Sequence, residues 1–153
     1  MNVEIRQMAE PEARAIAAWH YEAPYSFYDW TADENDLAEL LSEEARQGAY
    51  FSALGAHDEL VGFFGFAQKG GTVAVGLGLR PDLTGRGLGL AFLEQGLDFA
   101  RETFGAQRFT LSVATFNERA IRVYEQAGFE RVRAFEHETN GGIHPFVEMA
   151  RRA

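Results

Sequence analysis

The sequence predicts an α/β fold on a mixed, mostly antiparallel sheet of about seven strands flanked by about four helices. Three observations predict it. Short apolar runs are separated by turn signals at Ala56-His57-Asp58-Glu59, Gly70-Gly71 and Asn140-Gly141-Gly142, and successive hairpins build antiparallel pairs. In mid-chain, a strand-like run ends in a glycine-dense turn followed by a long amphipathic pattern and another strand, the usual crossover between parallel neighbours. The chain has 153 residues, 46% of them hydrophobic, which suits one domain over residues 1–153 with a substantial core.

In chain order, residues 3–8 set Val3, Ile5 and Gln7 against Glu4 and Arg6, a short strand. Pro11 suits the first turn of a helix through about His20, where a missing N–H costs nothing. Thr31-Ala32-Asp33-Glu34 has the form of a capping box, Leu37, Leu40 and Leu41 supply an apolar stripe, and Gly48 is placed to end this second helix. Residues 50–54 and 60–68 pair as strands, and residues 72–79 form the next one. After the glycine turn, Leu88, Phe92, Leu93, Leu97, Ala100 and Phe104 share one helix face, opposite Glu94, Gln95, Asp98, Arg101 and Glu102. Residues 109–113 make a strand parallel to 72–79, and residues 117–127 a short helix stopped by Gly128. Two closing strands flank Asn140-Gly141-Gly142 and leave an edge on which two copies could pair as a homodimer.

The formal net charge of −9 argues against a nucleic-acid partner, which demands a basic face to replace counterions. It serves solubility first, and is compatible with a cationic substrate such as an amine or a basic peptide. Without cysteine there is no disulfide, thiolate metal site or catalytic thiol. His20, His57, His137 and His144 form no helical H-x-x-x-H pair, so no metal is expected. The first residues lack a signal peptide's basic and apolar regions, and no apolar run is long enough to cross a bilayer. The expectation is a soluble, cytoplasmic protein without a membrane partner.

The most informative stretch is Leu79-Arg80-Pro81-Asp82-Leu83-Thr84-Gly85-Arg86-Gly87-Leu88-Gly89-Leu90. Glycine at alternate positions removes β-carbons where a strand turns into a helix. Such a turn aims peptide N–H groups outward, reinforced by the helix dipole, and can receive phosphate oxygens. The same glycines would also serve a plain tight connection. A dinucleotide-binding G-x-G-x-x-G fails because Leu90 stands where the third glycine belongs. A Walker A loop fails because Lys69 is the only lysine and no G-K-[ST] follows.

A second constellation lies downstream. Asn117, Ala120, Tyr124 and Ala127 recur at spacings of three and four and so share a helix face. Spacing alone leaves Tyr124 either a core filler or a phenol at a site.

Two motifs, Leu79-x-Pro81-x-x-Thr84-Gly85-Arg86-Gly87-Leu88-Gly89 and Asn117-x-x-Ala120-Ile121-x-Val123-Tyr124-Glu125-x-x-Gly128-Phe129, stand in this order with one helix and one strand between them. Together they resemble the GNAT superfamily of acetyl-CoA-dependent N-acetyltransferases, and the strand and helix order agrees over nearly the whole chain. The resemblance implies a sheet whose central parallel pair splays apart and a function of moving an acetyl group from acetyl-CoA to a primary amine of a small molecule or peptide. It implies that backbone groups of Leu77, Gly78 and Leu79 pair with the pantetheine arm. The N–H groups of Thr84, Gly85, Arg86, Gly87, Leu88 and Gly89 would hold the pyrophosphate, and Asn117 with Ala120 would line the pantetheine end. An amide near Leu79 would face the thioester oxygen, and Tyr124 would protonate the departing thiolate. A phenol suits that role, since its pKa near ~10 keeps the proton at neutral pH. Direct attack by the amine needs no acyl-enzyme, consistent with the absence of cysteine and of G-x-S-x-G.

The sequence departs from the family pattern at Thr84, where many members carry Gln or Arg, and at Ser112, where some peptide-modifying relatives carry a glutamate. The base that deprotonates the amine is left open among Glu22, Asp29, Glu136, His137, Glu138 and water. The aromatic stretch from Tyr21 to Trp30, with Tyr25, Phe27 and Tyr28, matches a region that borders the acceptor in the family. Its rings would equally seal a core edge. Arg80, Arg86, Arg119 and Arg122 are candidates to touch phosphate. The alternatives are a catalytically silent acyl-CoA-binding sensor and a site for another nucleotide cofactor.

Overall fold

In the computed structural model, which describes residues 1–153, seven strands form one sheet in the order β1-β2-β3-β4-β5-β7-β6. They are β1 (Glu4–Gln7), β2 (Tyr50–Leu54), β3 (Leu60–Lys69), β4 (Thr72–Leu79), β5 (Arg108–Ala114), β6 (Glu130–Thr139) and β7 (Gly142–Arg152). Every neighbouring pair is antiparallel except β4 and β5. The helices are α1 (Glu10–Ala17), α2 (Glu34–Leu41), α3 (Glu43–Arg46), α4 (Gly89–Phe104) and α5 (Glu118–Gln126). The mixed sheet and its central parallel pair are those the sequence predicts. No helix is long and apolar enough to cross a membrane.

The early helices differ from expectation. α1 stops at Ala17 and not at His20, because the Ala18 and Trp19 N–H groups fold back in a tighter turn onto Ala15 O and Ile16 O. Asp33, and not Thr31, caps α2: its Oδ1 accepts the Asp36 N–H at 3.0 Å, while Thr31 lies in a 3₁₀ turn, Trp30–Ala32. The second helix does not reach Gly48. Ser42 takes an extended conformation and its Oγ accepts the Ala45 N–H at 3.2 Å, ending α2 and starting α3. Short polar side chains compete for backbone N–H groups in this way, so five helices stand where four were expected.

Successive strand residues face opposite sides of the sheet, and β3 shows the consequence. Phe64 and Phe66 enter the main core, which lies under α4, whereas Phe63 meets Trp19 and Trp30 on the other face. Phe64 stacks on Phe92 of α4 with centroids 4.4 Å apart. Gly96 allows this approach, since a Cβ there would lie 2.2 Å from Phe64 Cε1. Gly96→Ala is therefore expected to lower stability: overpacking costs about 1–3 kcal/mol, more than the gain of about 1 kcal/mol in helix propensity. A urea midpoint equal to or above that of the unsubstituted protein would contradict this.

β4 and β5 pair only through Thr72↔Arg108, Val73↔Phe109 and Ala74↔Thr110. Beyond these, β4 continues on β3 as far as Leu79↔Gly62, and β5 continues on β7 as far as Ala114↔Phe146. The two strands thus splay apart toward their C-terminal ends.

Candidate active site

The splay opens into a cleft of about 730 Å³. One wall is the unpaired edge of β4. Arg80 N–H donates to Val61 O at 2.8 Å, which sets the alternation along the strand. The N–H and C=O groups of Leu77 and Leu79 consequently aim away from β3, into the cleft. Leu79 O accepts the Tyr21 hydroxyl at 2.7 Å, and Leu79 N–H lies on the same, cleft-facing side of the strand. Gly78 has a packing reason of its own: a Cβ there would lie 2.4 Å from the Phe63 ring.

At one end of the cleft, the 3₁₀ turn Pro81–Leu83 leads into the glycine loop. Gly85 and Gly87 have φ of 72° and 75°, values that side chains disfavour. With these two turns, no backbone N–H of residues 85–91 finds a protein acceptor, and Leu88 gives α4 no side-chain cap. The result is a run of free donors at a helix N-terminus. Thr84 does not join it, because its N–H and Oγ1 both donate to Pro81 O, at 3.3 and 2.7 Å.

The arginines separate clearly. Arg80 is bound to Asp82 and to Leu60 O, the Arg86 side chain is not part of the cleft wall, and Arg122 borders a different hollow. Arg119 alone enters the cleft, with its guanidinium 4.1 Å above the Tyr25 ring and Nη1 3.5 Å from where a Gly85 Cβ would stand.

Asn117 caps α5: its Oδ1 accepts the Ala120 N–H at 3.1 Å. One face of α5 then carries Asn117, Ala120 and Tyr124 to the cleft wall. Tyr124 is half-buried, and its hydroxyl has no protein partner yet is not sealed from the cleft. Burial first, and then the nearby Tyr28 phenol, push its pKa well above the usual value.

Residues 21–33 cross the mouth of the splay as a strap. Tyr25, Phe27 and Tyr28 all line the cleft, and Tyr28 Oη accepts the Ala114 N–H of β5 at 3.2 Å. The strap is tied to itself by Tyr21 N–H on Asp29 Oδ1 at 2.9 Å, and to the β6–β7 turn by Asn140 Nδ2 on Phe27 O at 2.7 Å. Asp33 Oδ2 completes the tie by accepting Asn140 N–H at 2.9 Å and Thr139 Oγ1 at 3.1 Å.

Of the base candidates, Asp29 and His137 reach the cleft, whereas Glu22, Glu136 and Glu138 do not. The Asp29 carboxylate is already engaged by Tyr21 N–H and by His20 Nδ1 at 3.0 Å. Sequence reasoning missed Asp36 and Glu39, one turn apart on α2, which stand at the cleft rim with Trp30 and Tyr50. Partial burial, with the charges of Asp33 and Glu39, pushes the Asp36 carboxyl up, against an opposing effect of His137. Their spacing resembles that of any solvated helix face, so no local signal marks them.

The acetyltransferase (GNAT) family model matches residues 4–129, a span that includes the glycine loop, α4 and α5. A mycothiol acetyltransferase from Rhodococcus jostii (strain RHA1) is 34% identical over 127 residues, or 76% of this chain, which spans 39% of that protein's length. Peptidyl-lysine N-acetyltransferase YjaB from Escherichia coli (strain K12) is 24% identical over 152 residues, covering 98% of this chain and 97% of that protein. The crystal structure of spermidine N-acetyltransferase from Vibrio cholerae in complex with CoA and spermine shares the fold, with a TM-score of 0.78 over 98% of this chain and 95% of that chain at 19% identity. With the family match extending over most of the residues that build the splayed pair and its glycine loop, this chain belongs to the GNAT acetyltransferase family.

Proposed function

We propose that this protein transfers an acetyl group from acetyl-CoA to a primary amine by direct nucleophilic attack. The observation that carries the reading is the run of unpaired N–H groups over residues 85–91, opening on the same cleft as the unpartnered Tyr124 phenol. Acetyl-CoA supplies the activated thioester. The amides of Gly85, Arg86, Gly87, Leu88 and Gly89 hold the pyrophosphate, with Arg119 beside them. Leu77 and Leu79 offer a strand edge to the pantetheine amides, flanked by Asn117 and Ala120. Leu79 N–H is aimed to stabilise charge on the thioester oxygen, and Tyr124 gives its proton to the leaving sulfur.

The acceptor enters past the strap. Asp29, Asp36 and Glu39, with Trp30 and Tyr50, make that rim negative and aromatic, an environment that draws an ammonium group. The relatives named above act on different acceptors, and the rim chemistry favours a cationic small molecule or peptide amine. The ammonium must lose a proton before attack, and Asp29, His137 or water can take it.

The test is a thiol-release screen with acetyl-CoA against amines of varied charge and length, run beside calorimetry of acetyl-CoA binding. Thiol release that depends on a cationic primary amine supports the reading. Tight acetyl-CoA binding without release from any amine would replace it with a silent acyl-CoA sensor. Absence of acetyl-CoA binding would overturn both.

A further inference from the structure

Each tyrosine hydroxyl carries one proton and accepts through its lone pairs, so the direction of its hydrogen bonds decides what it can still give. Five tyrosines line the cleft. Tyr21 has committed its proton to Leu79 O. Tyr50 stands against the Glu39 carboxylate, and Tyr25 lies under the Arg119 guanidinium. Tyr28 is placed differently. Its oxygen accepts the Ala114 N–H at 3.2 Å, with the Asn117 side chain as a second neighbour, and its own proton has no protein acceptor. With its oxygen accepting from Ala114, the Tyr28 O–H is left free to turn toward the cleft, where Tyr124 also has a free hydroxyl. The Tyr28 ring is held in place by Phe27, edge-on at 5.3 Å, and by Phe116 at 5.9 Å.

We propose that Tyr28 is a second phenol of the site, donating a hydrogen bond to the leaving sulfur opposite Tyr124; this rests on the acetyltransferase reading above. As the C–N bond forms and the C–S bond breaks, the bonding pair passes to sulfur. The Tyr124 proton neutralises it, and Tyr28 keeps its own proton while donating a hydrogen bond to the same atom. The backbone N–H of Ala114 makes the Tyr28 oxygen a poorer acceptor and its proton a better donor, as hydrogen bonds in a chain polarise one another. Burial keeps the Tyr28 phenol protonated well past neutral pH. The titratable groups bearing on it are Tyr25 of its own segment and Tyr124 of α5, with Arg119 of α5 over the Tyr25 ring.

The test compares Tyr28→Phe, Tyr124→Phe and the double variant in thiol release, with acetyl-CoA affinity measured by calorimetry. A fluorinated tyrosine incorporated at position 28 supplies the readout that a structural role would not move. It keeps the oxygen that accepts Ala114 N–H while making the phenol more acidic. Tyr28→Phe is expected to lower kcat about tenfold, less than the roughly 100-fold or more that follows loss of an oxyanion-hole donor, because Tyr124 remains in place, with affinity within about twofold of the unsubstituted protein. The double variant is expected to fall below Tyr124→Phe. A donor works only while protonated, so fluorination is expected to shift the alkaline loss of kcat to lower pH. An unsubstituted protein that releases thiol while its Tyr28→Phe and fluorotyrosine forms keep the same kcat and pH profile would overturn this proposal alone. Silence of the unsubstituted protein with every amine would instead remove the acetyltransferase reading on which it rests.

Discussion

Tyr124→Phe is expected to lower kcat by about 100-fold, the lower part of the range for loss of a general acid, while acetyl-CoA affinity changes by no more than about twofold. The substitution deletes one oxygen that has no partner within the protein, so the fold loses no hydrogen bond. The whole effect falls on the step in which sulfur departs, equivalent to about 2.7 kcal/mol of transition-state stabilisation. Residual turnover is expected, because Tyr28 still hydrogen-bonds the departing sulfur while water supplies the proton. The sign of the pH dependence follows from the same environment. Burial raises the Tyr124 pKa above its ordinary value of 10.0, so the acid stays protonated, and kcat should not fall on its account between neutral pH and that value. Steady-state thiol release between pH 7 and about 10 checks both points. A Tyr124→Phe protein within threefold of normal kcat would remove the role.

Gly87→Val is expected to weaken acetyl-CoA binding by about 30- to 100-fold with much less effect on the folded core. Nothing lies within 4 Å of a Cβ built on Gly87, so the change introduces no clash. The penalty is conformational: at φ 75° an L residue pays about 1–2 kcal/mol, and a β-branched one is a severe outlier. Relieving the strain rotates the flanking peptides and turns at least one free N–H away from the cleft. With the strain relieved, the loss of affinity is that of a hydrogen bond to a charged group, about 1.5–3 kcal/mol, which brackets the expected change. Calorimetry with acetyl-CoA reads the affinity, and thermal unfolding without ligand reads the fold. Unchanged affinity would show that the loop amides do not hold the pyrophosphate.

Both predictions concern residues that stand out in the sequence, and for a shared reason. The glycine loop is a matter of local backbone geometry, and so is the closing turn, where Asn140 and Gly141 both take positive φ as an Asn-Gly hairpin demands. Tyr124 was marked by helical spacing and family motif together. The early helices were less legible because their signals were local but rivalrous. Thr31, Asp33 and Ser42 can all cap a helix, and packing of Leu40 in its small core with Met8, Ala13 and Ile16 decided where α2 sits.

The sequence by itself determined the mixed sheet, the crossover helix, the glycine loop with its left-handed turns, and the tyrosine on the face of α5. Each depends on propensities and spacings that act within a few residues. Only the tertiary structure decided which side chains meet across the splay. Tyr21 reaches Leu79 over a separation of 58 residues, Tyr28 reaches Ala114 over 86, and Thr139 reaches Asp33 over 106. The same return of the chain carried Asp36 and Glu39 to the cleft rim and left Arg80, Arg86 and Arg122 outside the cleft wall. Such encounters are set by where β4 and β5 stop pairing and how the strap lies over the gap, and no local pattern encodes either.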